Sequence, residues 1–169
     1  MSALLQRIRQ ASAAEIAAAI LALALVSIVA AWIFEAFGYL PCELCLKQRI
    51  PYYAGIPLAA LTFWLARKPG RHPALPAAFL GLMLIFYGSM AFGIYHSGVE
   101  WGYWPGPAGC TGQMQTAASP EDFMKQLQTV RVVRCDEVAI RIFGLSLAGW
   151  NAVVSCVVAA LAVVGSRRV

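Results

Sequence analysis

Cys42 and Cys45 stand in the segment Pro41-Cys42-Glu43-Leu44-Cys45, directly between two long apolar stretches. A C-x-x-C spacing brings two sulfurs close enough to make and break a disulfide. Two further cysteines, Cys110 and Cys135, lie in the one long polar stretch of the chain. Two dithiol pairs at one membrane face suit a relay, in which thiolates attack disulfides and a lipid-soluble carrier removes the electrons. If the segment after Pro41 is helical, Cys42, Cys45 and Arg49 fall at i, i+3 and i+7 on one face, with Gln48 within reach of Cys45. The N-terminal turn of such a helix favours the thiolate, and a cation one turn further on would hold an anionic reduced species. The plainer reading of Arg49 is an interfacial arginine whose stem lies along apolar surface.

The other candidates divide in the same way. Cys110 and Cys135 read either as a structural staple or as a second redox pair, with Cys110 exposed in a Pro/Gly-rich segment. Cys156 falls in the middle of an apolar run and reads as a small buried hydrophobe. His96 ends an apolar run, either as an interface residue or as a donor to a bound carbonyl or quinol oxygen. Structural zinc sites use paired short spacings, and one short pair is present, so no metal is expected.

The elements that position these residues follow from composition. Apolar residues make up 60% of the chain and charged residues 12%, against about 25% charged in ordinary soluble domains. Four apolar runs approach spanning length, roughly Ile16–Phe37, Ile50–Ala66, Ala77–Tyr95 and Phe143–Gly165. They lack a polar face, which argues against a soluble bundle. Pro57 should kink the second run. The first run is too long for a signal-peptide core and reads as an anchor. The expected fold is an all-α, four-helix transmembrane bundle forming one domain over 1–169, with loops at roughly 38–49 and 97–141. In the long loop, Trp101, Tyr103 and Trp104 suit an interface belt. Ser119-Pro120-Glu121-Asp122 reads as a helix start, and Phe123, Met124, Leu127 and Val130 would line a short amphipathic helix.

Charge orients the bundle. Arg7 and Arg9, then Arg67, Lys68 and Arg71, then Arg167 and Arg168 lie on one face in a four-span topology. The positive-inside rule makes that face, with both termini, cytoplasmic. The loops carrying Cys42, Cys45, Cys110 and Cys135 then face a periplasm or its equivalent, where disulfides persist. Topology accounts for most of the net charge of +5, so membrane lipid rather than nucleic acid is the expected surface partner.

Three ordered motifs resemble the DsbB family, membrane enzymes that reoxidise periplasmic thiol oxidases. They are Pro41-Cys42-x-Leu44-Cys45-x-x-Gln48-Arg49, then Tyr95-His96-x-Gly98-Val99-Glu100 through Trp104-x-Gly106-Pro107 to Cys110, and Cys135-Asp136-Glu137 through Phe143-Gly144-Leu145-Ser146 to Trp150-Asn151. The resemblance implies a thiol:quinone oxidoreductase of the bacterial inner membrane with a quinone, ubiquinone or menaquinone, bound near the outer face. It implies that Cys42 and Cys45 form the quinone-linked disulfide. It further implies that Cys110 and Cys135 form the pair that accepts electrons from a DsbA-like periplasmic oxidase, with Cys110 taking the mixed disulfide. Arg49 and His96 match positions associated with the quinone, and Gln48 lies beside them. One departure is Ile140, where the family often has a tryptophan; it weakens the expectation of an aromatic wall to the quinone pocket and would suit a branch serving one dedicated oxidase. A quinone-linked enzyme of the vitamin K epoxide reductase class is disfavoured, because there the C-x-x-C lies within a later span. A non-catalytic, tetraspanin-like scaffold with stapled loops leaves Cys42-x-x-Cys45 beside Arg49 unexplained.

Overall fold

The computed structural model describes residues 10–70, 72–107, 110, 119 and 133–169. Arg7, Arg9, Arg71 and the amphipathic helix expected after Ser119 lie outside the described residues. Four long helices run α1 Ala13–Ala36, α2 Glu43–Ala66, α3 Leu75–Glu100 and α4 Leu147–Ser166. Three of them, α1, α3 and α4, are long and apolar enough to cross a membrane. The first two turns of α2 carry Glu43, Lys47, Gln48 and Arg49, which lower its apolar character.

Local chemistry sets the ends. Ser12 caps α1 through a capping box with Glu15, each closing a free backbone N–H of the other. Helix α2 begins at Glu43 rather than near Ile50, because the Cys42 sulfur accepts from the Cys45 N–H at 3.3 Å and serves as its cap. The loop expected over 38–49 therefore shortens, and both sulfurs sit at a helix start. The start of α4 moves the other way, to Leu147 rather than Phe143. Phe143 and Gly144 both have positive φ (51° and 84°), and they turn the two-residue strands β1 Arg141–Ile142 and β2 Leu145–Ser146 into an antiparallel hairpin. Ser146 then caps α4, accepting from Gly149 N–H at 3.1 Å.

The core is made of aliphatic and aromatic side chains interleaved with alanines. Ile16, Ala17, Ile20, Ala24 and Ile28 of α1 meet Tyr52 and Ala59 of α2, Phe79, Leu82 and Phe86 of α3, and Val158 and Ala162 of α4. Large apolar side chains also cover the outside, among them Val26 at 68% exposure. Apolar residues on both faces suit a lipid environment. Helices α3 and α4 approach closely at Gly93, where an added Cβ would stand 2.9 Å from the Ala152 backbone nitrogen. Cys156 is on the exterior of α4, not buried as its mid-run position suggested.

One end of the bundle carries Arg67, Lys68, Arg167 and Arg168, with Lys68 Nζ 3.5 Å from the Trp64 ring centroid. The other end carries the C-terminus of α1, the N-terminus of α2, the C-terminus of α3 and the hairpin before α4. Helix α3 has 26 residues, about 39 Å at 1.5 Å per residue, against a hydrocarbon core of about 30 Å. It continues past His96 to Glu100, so its last turn lies at the sulfur-bearing end.

Candidate functional site: two cysteine pairs above an apolar cavity

All four candidate cysteines gather in one place: Cys42, Cys110 and Cys135 form a small buried cluster with Leu44 of α2 and Val99 of α3, and the partly buried Cys45 packs against it. Cys110 and Cys135 are joined as a disulfide with Cα atoms 5.3 Å apart. Cys110 is 4% exposed, which corrects the expectation of an open thiol. Gly106 lies close over Val99 and Cys110, where an added Cβ would stand 3.1 Å from the valine side chain. Trp104 assists this by stacking on Tyr95 and donating its Nε1–H to the Tyr95 carbonyl at 2.9 Å. Gly98 is required beneath it, since a Cβ there would meet the Trp104 ring at 2.0 Å.

Cys42 and Cys45 are free thiols with Sγ atoms 3.1 Å apart. The two sulfurs face different surroundings. Cys42 is buried in the cluster, while Cys45 lines a cavity of about 330 Å³. The Cys42 thiol is held well below the ordinary cysteine range, first by its hydrogen bond with Cys45 and then by the His96 ring and the Cys45 N–H, against the opposing effect of burial. In reduced protein the Cys42 thiolate signal, read as ultraviolet absorbance lost in Cys42→Ser, should therefore persist from neutral into mildly acidic pH. An unperturbed thiol would lose its thiolate about tenfold per pH unit below about 8.5. Titration of the signal near 8.5 would remove this assignment.

His96 is 1% exposed and does not line the cavity. Its Nε2 lies 3.6 Å from the Cys42 sulfur and its Nδ1 lies 2.7 Å from the Gln48 amide nitrogen. Gln48 thus bridges the two regions, lining the cavity while holding the histidine. Arg49 lines the cavity beside Cys45, and its Nη1 donates to Glu35 Oε2 at 2.6 Å.

The cavity lies among α1, α2 and α4. Its aromatic wall comes from Phe34, Tyr39 and Trp150, so it does not depend on position 140; Ala139 and Ile142 reach it from the segment around Ile140. The Trp150 ring is fixed by an Nε1–H bond to the Ile142 carbonyl at 2.9 Å. Tyr52 and Asn151 supply polar atoms, tied by a 2.7 Å bond from the tyrosine hydroxyl to the amide oxygen. Val26 lines the cavity and is 68% exposed, so the space reaches the outer surface of the bundle. Apolar walls with a few polar groups and a size of a few hundred Å³ are what a small aromatic ligand needs. Such a lining would suit a quinone ring, with Arg49, Gln48, Tyr52 and Asn151 as its polar groups.

Sequence reasoning missed Glu35, Tyr52 and Glu100. Glu100 carried a signal, since it stands one turn beyond His96 in the second motif. Glu35 carried none, because its partner is 14 residues away on another helix.

Fold and site together define a membrane-embedded helical bundle with two cysteine pairs at one end, one of them opening on an apolar cavity. The chain belongs to the DsbB family: the model of the disulfide bond formation protein DsbB matches residues 13–165. Membership implies a role in disulfide bond formation by a membrane protein, and the family typically works with a quinone. The chain is also similar to the uncharacterized protein RP370 of Rickettsia prowazekii (strain Madrid E), at 24% identity over 135 residues, 78% of this chain and 75% of that protein. No solved structure matches it significantly.

Proposed function

We propose that this protein is a thiol:quinone oxidoreductase that reoxidises a DsbA-like dithiol oxidase at the outer face of a bacterial inner membrane. The observation that carries this reading is the division of labour between neighbouring sulfurs. Cys42 is buried with Cys110 and Cys135, whereas Cys45, at the edge of that cluster, also lines the apolar cavity with Arg49. Electrons would enter on one side of the C-x-x-C pair and leave on the other.

The steps balance as thiol exchange. A partner thiolate attacks Cys110, breaking its bond to Cys135, which leaves as thiolate. The partner's second thiolate then displaces Cys110, leaving oxidised partner and a Cys110/Cys135 dithiol. The Cys135 thiolate attacks Cys42 in a Cys42–Cys45 disulfide, and Cys45 leaves toward the cavity. Cys110 resolves the Cys135–Cys42 bond. Cys42 and Cys45, now reduced, re-form their disulfide as two electrons pass on. A quinone bound in the cavity supplies the two-electron, two-proton sink. Arg49 would stabilise negative charge on the Cys45 side, and Gln48 would keep His96 oriented against Cys42.

The burial of Cys110 means that the partner must open the packing around this sulfur. The basic end of the bundle supports cytoplasmic termini and periplasmic sulfurs. The test is trapping. Cys135→Ala should accumulate a mixed disulfide between Cys110 and a DsbA-like oxidase, resolved on non-reducing gels and by peptide mapping. Trapping through Cys42 instead would reverse the order of the relay.

A further inference from the structure

His96 stands between two anionic groups. Its Nε2 is 3.6 Å from Cys42 Sγ and 4.0 Å from Glu100 Oε1. The side chains of His96 and Glu100 are 2% and 6% exposed, and Cys42 is 5% exposed. The i, i+4 spacing on the last turn of α3 puts imidazole and carboxyl on one face. Glu100 is anchored from the other side, where the Ser146 hydroxyl donates to its Oε2. Arg141 of β1 acts on the same carboxylate electrostatically. The groups that face this array from neighbouring elements are therefore Cys42 and Cys45 from the start of α2, Gln48 one turn on, and Arg141 and Ser146 from the hairpin. The relay as described uses none of Glu100, Ser146 or Arg141.

We infer that Glu100 is a proton-holding partner of the sulfur pair that acts through His96: it takes up a proton when the Cys42–Cys45 disulfide is reduced and returns it when the disulfide re-forms. This rests on the proposed redox role of that pair. The balance is as follows. A dithiol donor brings two electrons and two protons. Reduction leaves Cys42 as thiolate, Cys45 as thiol with one proton, and the second proton on the Glu100 carboxyl. The donor leaves as a disulfide. In the oxidised state no charge sits on Cys42, and a Glu100 carboxylate is supported by Ser146 and Arg141. Reduction creates a thiolate that shares the same imidazole nitrogen with that carboxylate. Two buried like charges at one ring nitrogen repel, and an added proton relieves them. The Gln48 amide can accept from an Nδ1–H or donate to a bare Nδ1, so His96 can pass a proton through Nε2 in either direction.

The experiment uses full-length protein in detergent, stripped of quinone and equilibrated with dithiol redox buffers across neutral pH. With two protons taken up, the Cys42–Cys45 half-reaction, after correction for the protons released by the buffer dithiol, should become a hundredfold less favourable per pH unit, which is about 59 mV for two electrons. In Glu100→Gln the dependence should drop to tenfold, or about 30 mV per unit; Glu100→Asp should keep the steeper slope. Infrared difference spectra of the wild type, reduced minus oxidised, should show a protonated carboxyl that Glu100→Gln lacks. An unchanged slope in Glu100→Gln would put the proton on His96 and overturn the inference. Absence of the carboxyl signal in the wild type would overturn it without recourse to any variant. Failure of Cys42–Cys45 to cycle at all would instead remove the redox reading on which it rests.

Discussion

Cys45→Ser should lower quinone-dependent turnover by at least about a thousandfold, the scale on which removal of a covalent participant acts. Cys45 is the one cysteine among the described residues that lines the cavity. Its serine replacement preserves shape and hydrogen bonding but cannot form the disulfide. Exchange between the partner oxidase and Cys110–Cys135 should continue, because that disulfide is packed against Val99 and Cys42 on the other side of the pair. Measuring quinone absorbance and partner reduction in the same preparation separates the two half-reactions. A Cys45→Ser protein that still reduced quinone would mean that electrons leave through another sulfur.

Arg49→Ala should lower quinone-dependent kcat/KM by roughly ten- to a hundredfold. A charge-assisted hydrogen bond contributes about 1.5–3 kcal/mol, and about 1.4 kcal/mol is one decade in rate. The Arg49 side chain is 12% exposed and lines the cavity beside Cys45. It is also held by Glu35 at 2.6 Å, so its orientation depends on a second helix. Lysine should rescue only in part, since it keeps the charge but loses the planar fork that engages two acceptors. Partner exchange at Cys110 should be nearly untouched. Unchanged quinone kinetics with failed partner exchange would make Arg49 a docking residue.

These two predictions differ in how far each was legible in the chain. Cys45 and Arg49 share a helix, so their spacing alone puts them on one face once the segment is helical. Glu35, which holds Arg49, is 14 residues away across a turn; no local periodicity links them. Apolar run length puts the second span near Ile50, whereas the Cys42 sulfur caps a helix that already starts at Glu43, as the helical reading of the C-x-x-C segment expects. The start of α4 was placed too early because Phe143 and Leu145 are apolar, although positive φ at Phe143 and Gly144 commits them to a hairpin. Hydropathy reports which residues avoid water and is silent on where a backbone turns.

By itself the sequence determined the helical bundle, its basic end, the reactive spacing of Cys42 and Cys45 and the identity of the family. Each depends on local composition or on short-range pattern, which a linear chain displays directly. The tertiary structure alone decided which sulfur faces which neighbour: Cys42 toward Cys110 and Cys135, Cys45 toward the cavity. It also decided that His96 stands against Cys42 and Glu100 rather than in the cavity wall, and that Trp150 rather than position 140 supplies the aromatic face. Those facts arise where α2, α3 and the hairpin before α4 converge, and contacts between segments 50 to 100 residues apart are set by packing, which pairwise spacing does not encode.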